Sequence, residues 1–359
     1  MPFRLLSPAA RAIHCRWCST LAYRRRFILL LLSAPRKKHS GSVSKCSARD
    51  MSSNNFDFET KRPVNFRLCN LSSYTVEVLE IHADNPKLQV LVIPGNPGIV
   101  QFYKDFVESL FEQLGGRASV IAVGHICQTK KNWERGRLFS LQEQIDHKVD
   151  FIGQELHNSG VPLVLLGHSI GSYIAIEVLK RCPEVILCIG LYPFLTLNQH
   201  SERQSIIGKI AASSVLSAGL SFMVASLGLL PKWASRLIVS NSVGKSWSKT
   251  AVDALCSHLM QYHTMRNVLF LAMTEFKKLS DTPDWMFMRQ NQGKIVFLFG
   301  IDDHWGPMQV FEEISKKVPG IALSIEREGH THSFCCTEAG SVWVAQHVAS
   351  LIKNQISSK

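Results

Sequence analysis

The chain has 359 residues, 46% of them hydrophobic, which is enough for a sizeable buried core, and a formal net charge of +12. That charge is concentrated: residues 1–50 hold eleven Lys/Arg against the single acid Asp50, while the other 309 carry 29 basic and 27 acidic side chains. A globular part so close to neutral offers no broad basic face for phosphates, so no nucleic-acid partner is expected.

Residues 1–60 read as a basic, disordered N-terminal extension, set apart from a domain at 61–359. The apolar run Phe27–Leu32 is too short to span a bilayer. An Arg- and Ser-rich, nearly acid-free composition also suits an organelle transit peptide, and Met51 would serve as an alternative start. Beyond it, an alternation of strands and helices sets in. Strands are expected at Tyr74–His82, Leu88–Ile93, Ser119–Val123, Val161–Leu166, Val185–Tyr192, Lys294–Phe299 and Ala322–Glu326. Helices are expected at Phe102–Leu114, Leu141–Leu156, Ser169–Arg181, Met308–Lys317 and Glu338–Asn354. Continuous apolar runs of five to eight residues separated by helices imply a mostly parallel sheet covered on both faces.

The segment from about residue 194 to 293 is too long for one crossover helix and reads as a lid insertion. Within it Ile210–Leu230 has no charge. At 1.5 Å per residue it would reach about 32 Å as one helix, close to the thickness of a bilayer core. A single crossing would nevertheless place the catalytic candidates before and after it on opposite sides of the membrane. The run is therefore expected to dip into one leaflet or the monolayer of a lipid droplet, or to pack as a lid over the site, or both. If it meets lipid, lysines at Leu220 and Val224 should release the protein.

The most telling residues are Leu163-Val164-Leu165-Leu166-Gly167-His168-Ser169-Ile170-Gly171. A buried strand meets Gly-x-Ser-x-Gly, then an apolar-periodic helix, which is the strand–turn–helix setting of a nucleophile elbow. Glycines at 167 and 171 let strand and helix pack closely while the Ser169 hydroxyl stays accessible. A serine needs a histidine to take its proton and a carboxylate to hold that histidine, and here both should follow it in the chain. Gly-x-x-Asp just past the strand ending at Phe299 picks out Asp303, with Asp302 as the alternate. Past the strand ending at Glu326, Glu328-Gly329-His330-Thr331-His332-Ser333-Phe334 offers His330 and His332, and the His-Ser-Phe spacing favours His332. His168 should orient away from its own serine. For the oxyanion hole, one backbone N–H is expected from Ile170. The other should come from the loop Pro94-Gly95-Asn96-Pro97-Gly98, where Pro97 has no N–H and Asn96 remains.

Ten cysteines show no disulfide framework or metal spacing; Cys15-Arg-Trp-Cys18 is a lone pair where zinc needs four ligands. Cys69, Cys127, Cys182, Cys188 and Cys256 lie in or beside apolar runs as buried thiols. Neither a metal nor a cofactor is expected.

Taken together, Ile93-Pro94-Gly95-Asn96-Pro97-Gly98 with Phe102-Tyr103, Gln144-Ile145-Asp146-His147-Lys148, the elbow through Ser172-Tyr173 with Leu179-Lys180-Arg181, Asp303 before Trp305, and His332 before Phe334 resemble the lipid droplet-associated hydrolase family. The resemblance covers about residues 70–355. It implies an α/β-hydrolase fold and a serine ester hydrolase acting on neutral lipid, sterol esters in particular. It assigns the catalytic roles to Ser169, Asp303 and His332. It also implies lipid-droplet localisation shared with the endoplasmic reticulum and cytosol, with droplet monolayer or reticulum membrane met through about Ile210–Leu230. Two rivals stand beside it: a soluble carboxylesterase, thioesterase or acyltransferase with the same triad, and a droplet-surface tethering protein with little activity.

Overall fold

In the computed structural model, residues 62–357 are described except 157–159, 199 and 244–245. The basic extension, with its reading as a transit peptide, lies outside the described residues. The frame is an eight-stranded sheet in the order β1-β2-β4-β3-β5-β6-β7-β8. Its strands are β1 (Asn65–Leu71), β2 (Tyr74–Ile81), β3 (Leu88–Ile93), β4 (Ala118–Val123), β5 (Leu163–His168), β6 (Val185–Leu191), β7 (Ile295–Gly300) and β8 (Ala322–Glu326). From β4 to β8 every neighbouring pair is parallel, whereas β2 runs antiparallel to both β1 and β4. This is the α/β-hydrolase fold.

Alternation along the strands feeds two cores. Val90, Val92, Val164 and Leu166 point to one face, where α1 (Lys104–Gln113) and α11 (Glu338–Ser357) pack through Phe106, Leu110, Val344 and Val348. Leu91, Ile93, Leu163 and Leu165 point to the other. There α2 (Leu141–Phe151), α3 (Ile170–Leu179) and α10 (Met308–Lys317) supply Ile145, Ile174, Val178 and Ile314. The start of α2 is set by a capping box, in which Ser140 accepts from the Glu143 N–H and Glu143 accepts from the Ser140 N–H.

Two differences from the expected elements have simple causes. Pro162 delays β5 to Leu163, and the strand then runs on to His168, delivering the serine directly at its end. The strand β1 has no counterpart among the elements the sequence predicts. It is an edge strand whose outer residues Phe66 and Leu68 are exposed, joined to β2 by Ser72 and Ser73, both with positive φ. A two-residue hairpin turn of that kind normally carries Gly or Asn, so the serines hid it.

Between β6 and β7 lie α4 (Glu202–Ala212), α5 (Ser214–Gly228), α6 (Lys232–Val243), α7 (Lys249–Ala254), α8 (Tyr262–Leu279) and α9 (Trp285–Gln290). The uncharged run is not one helix: it is the end of α4, a bend of 100° at Ser213, then α5. Among the described residues no single helix is long and apolar enough to cross a membrane. Leu220, Val224 and Leu227 recur at helical spacing and are buried in the core that α8 shares. Lysine at Leu220 or Val224 would therefore disrupt packing, so those positions cannot report on lipid contact. Exposed apolar side chains of the insertion include Val215, Leu216 and Phe222 on α5, Leu229 in the turn, and Trp233 and Leu237 on α6.

Candidate active site

Ser169 occupies the turn between β5 and α3 with φ 56° and ψ −124°, a left-handed backbone that a non-glycine residue adopts only under strong local constraint. Close packing supplies that constraint. A Cβ on Gly171 would stand 2.3 Å from the carbonyl oxygen of Ile93, and one on Gly167 would stand 2.2 Å from that of Gly171. Only glycine lets β3, β5 and α3 meet so tightly. As the first residue of α3, Ile170 presents one of the amides that have no acceptor within the helix.

Two further loops, both at the carboxyl ends of parallel strands, reach the same place. Asp303 follows β7, its N–H donating to the Gly300 carbonyl at 3.3 Å. Its side chain is almost wholly buried; Oδ1 accepts from the Trp305 N–H at 2.9 Å, and Oδ2 lies 2.8 Å from Nδ1 of His332, which follows β8. Ser169 and His332 line one cleft, with Asp303 behind the imidazole. The neighbouring alternates take no part in this cluster: Asp302 is exposed, and His330 packs its ring against Trp343 of α11 at 5.6 Å.

The loop carrying Asn96 lies directly on the elbow, since a Cβ on Gly95 would be 3.0 Å from that of Ser169. Several hydrogen bonds hold it, three of them to Gln128, to α8 and to Tyr103. Gly98 N–H donates to Gln128 Oε1 at 2.5 Å, Asn96 Nδ2 donates to the Val268 carbonyl of α8 at 2.9 Å, and Gly95 N–H donates to the Tyr103 hydroxyl at 2.9 Å. Asn96 thus lines the cleft beside Ser169, with Pro97 next to it lacking an N–H.

Tyr103 and His168 join the site as well, and both ring nitrogens of His168 are engaged away from the serine hydroxyl, by Tyr103 and by the His332 carbonyl. The Nε2 of His168 faces the His332 carbonyl at 2.9 Å, and a carbonyl can only accept, so that nitrogen carries the proton. Nδ1 is then the acceptor, and the Tyr103 hydroxyl donates to it at 2.6 Å. Burial holds the His168 pKa well below the ordinary histidine value, helped by the nearby His332, so the ring is neutral and this arrangement is stable. One chain of hydrogen bonds therefore ties the Asn96 loop, the serine turn and the histidine loop together. The sequence clue was a histidine inside an apolar strand, next to the serine.

The cleft encloses about 940 Å³, its mouth included. The insertion forms much of its apolar wall through Ile207 of α4, Leu259, and Met265, Val268, Leu269 and Ala272 of α8, opposite Phe102, Phe194 and Trp305. Two polar or reactive elements interrupt that wall: the vicinal thiols Cys335 and Cys336, and Glu275 of α8, whose carboxyl burial pushes up to about 8. Among the described residues there is no group of His, Cys, Asp and Glu able to hold a metal ion.

Comparison with known proteins places this architecture. A family model described as lipid-droplet associated hydrolase matches residues 86–335. A lipid droplet-associated hydrolase from Rattus norvegicus is 28% identical over 290 residues, covering 76% of this chain and 87% of that protein. Its counterpart from Gallus gallus is 27% identical, covering 69% and 80%. Among solved structures, an epoxide hydrolase from Vigna radiata superposes with a TM-score of 0.59 at 14% identity, over 82% of this chain and 100% of the other. An esterase from Thermogutta terrifontis gives 0.53 at 14%, over 81% and 99%. At such identities the solved structures speak for the fold alone.

Proposed function

The chain belongs to the lipid droplet-associated hydrolase family, and from that premise we propose that it is a serine ester hydrolase acting on neutral lipid at a droplet surface. The observation that carries this reading is a strained serine turn and a buried Asp303–His332 pair converging on one apolar cleft. In the proposed reaction His332 Nε2 takes the Ser169 proton as Oγ attacks the ester carbonyl carbon. Asp303 holds Nδ1–H and so fixes the imidazole for that transfer. The N–H groups of Asn96 and Ile170 receive the charge that develops on the carbonyl oxygen. The alcohol leaves with the proton from His332, and water, deprotonated by the same nitrogen, frees the acid from Ser169.

The relatives' names refer to lipid droplets. For this chain, attachment through Val215, Leu216, Phe222, Leu229, Trp233 and Leu237 is supported by their exposure on one insertion whose inner helices line the cleft. An apolar wall suits a long acyl chain or a sterol. Labelling by a fluorophosphonate tests the chemistry: wild type should react, and Ser169→Ala should lose both labelling and ester hydrolysis while keeping its circular dichroism spectrum. Loss of the equivalent serine costs about 10⁶-fold in the best-studied protease. Retention of more than a small fraction of turnover would remove Ser169 from the mechanism.

A further inference from the structure

α8 brings one carboxyl group into the cleft. Glu275 shares its helix with Val268, Leu269 and Ala272 of the apolar wall, lines the cleft itself, and is 3% exposed. Its Oε1 has no hydrogen-bond partner, and no Lys, Arg or His pairs with it, among the described residues. The Asn96 side chain lies close enough to act against the burial effect on this carboxyl, and Asn96 is the residue proposed to offer its N–H to the ester oxygen. A buried oxygen left unmet is costly, and among the insertion residues that line the cleft Glu275 is the polar side chain a ligand would meet.

We propose that Glu275 binds a free hydroxyl group of the substrate, so that the preferred class is acyl esters bearing a hydroxyl a few bonds from the scissile carbonyl. This rests on the ester-hydrolase reading above. The closeness of Glu275 to Asn96 sets the distance, because the ester oxygen must lie against the Asn96 N–H. The chemistry fits a neutral acid: burial holds the carboxyl protonated at pH 7, giving an O–H donor and a carbonyl acceptor on one group, the pair a hydroxyl needs in return. A hydroxyl in that position occurs on the alcohol side in partial acylglycerols and on the acyl side in 3-hydroxyacyl esters. An ester with no hydroxyl leaves the acid unmet, and sites built around a substrate hydroxyl discriminate against its absence by as much as about 10⁴–10⁵-fold.

The test compares kcat/KM of the full chain on paired esters. On the alcohol side these are 2-hydroxyethyl oleate against 2-methoxyethyl and propyl oleate; on the acyl side, methyl 3-hydroxypalmitate against methyl palmitate. Wild type should favour the hydroxyl ester of at least one pair about tenfold or more, and the pair that shows it names the side. The Glu275→Gln amide still donates and accepts and should keep most of that ratio, whereas Glu275→Leu should collapse it towards one. Ratios near one for wild type in both pairs, or a ratio that survives Glu275→Leu, would overturn the proposal. If the leucine variant fails to fold, the wild-type and glutamine ratios still decide. A wild type that hydrolyses none of these esters and resists fluorophosphonate overturns the hydrolase reading as well. Hydrolysis without discrimination overturns only the role of Glu275.

Discussion

Replacing Tyr103 by Phe removes one oxygen from the centre of the relay that joins the three active-site loops. That oxygen accepts from the Gly95 N–H at 2.9 Å and donates to His168 Nδ1 at 2.6 Å. Tyr103 is 2% exposed and His168 is buried, so the two partners are left without a ready substitute. At about 1–3 kcal/mol for each stranded buried group, the substitution should cost about 2–6 kcal/mol, a large share of a typical total of about 5–15 kcal/mol. The ring keeps its edge contact with His168, so the loss is polar and not a cavity. Urea unfolding followed by tryptophan fluorescence measures it: with m near 3 kcal/mol/M, the midpoint should fall by about 0.7–2 M. The rate of fluorophosphonate labelling should fall as well, because the loop bearing Asn96 loses one of its anchors. A midpoint within about 0.2 M of wild type, with labelling unchanged, would show that the relay holds nothing in place.

Other expectations follow from the same geometry. Asp303→Asn and His332→Ala should each lower ester hydrolysis by several orders of magnitude, while Asp302→Asn and His330→Ala stay within a few-fold; a reversal in steady-state rates within either pair would move the assignment. Lysine at Phe222 and Trp233 should shift the protein from purified droplets to the aqueous fraction, since each embedded aromatic contributes about 2 kcal/mol; flotation assays that show unchanged binding would remove this face as the anchor. Acid should destabilise the fold. His125, His147 and His168 are kept neutral chiefly by burial, His147 with its pKa pushed down to about 2, so unfolding takes up protons once pH falls below about 6.5. Glu275 opposes them, protonated in the folded chain up to about 8 and ionised in the unfolded chain above about 4.3. His263 and His347 are lowered by burial as well, so proton uptake by histidines outweighs the proton Glu275 releases and stability should fall as pH drops below about 6; flat urea midpoints from pH 7.5 to pH 5 would contradict it.

Local pattern carried the central strands and their helices, because a buried parallel strand cannot be other than a short apolar run and each crossover helix must show one apolar face. The serine turn was legible for the same reason, since Gly167 and Gly171 are dictated by backbone approach. Gly-x-x-Asp spacing points to Asp303 over Asp302, but the physical reason lies in the coordinates: adjacent residues in a turn point different ways, and here one is buried against His332 while the other is exposed. The bend at Ser213 was hidden because apolar composition says nothing about where a helix breaks. It sends Leu220 and Val224 inward and Phe222 outward, a distinction that depends on what α5 packs against. Glu275 lay beyond reach of any local pattern, since an acid on an amphipathic helix reads as solvent-facing until tertiary structure covers it.

The chain order of these pieces has a consequence in time. Leu237, the last of the exposed apolar side chains proposed to meet the droplet, precedes His332 by 95 residues, and β7 and β8, which lead into the Asp303 and His332 loops, lie in between. At about 5–20 residues per second of synthesis, the greasy helices leave the ribosome about 5–20 seconds before the histidine does. During that interval α8, which supplies most of the insertion's share of the cleft wall, and then the loops of Asp303 and His332 are still being made. On the function proposed above, whatever first meets those apolar side chains, a lipid surface or a chaperone, does so before Asp303 and His332 can reach Ser169.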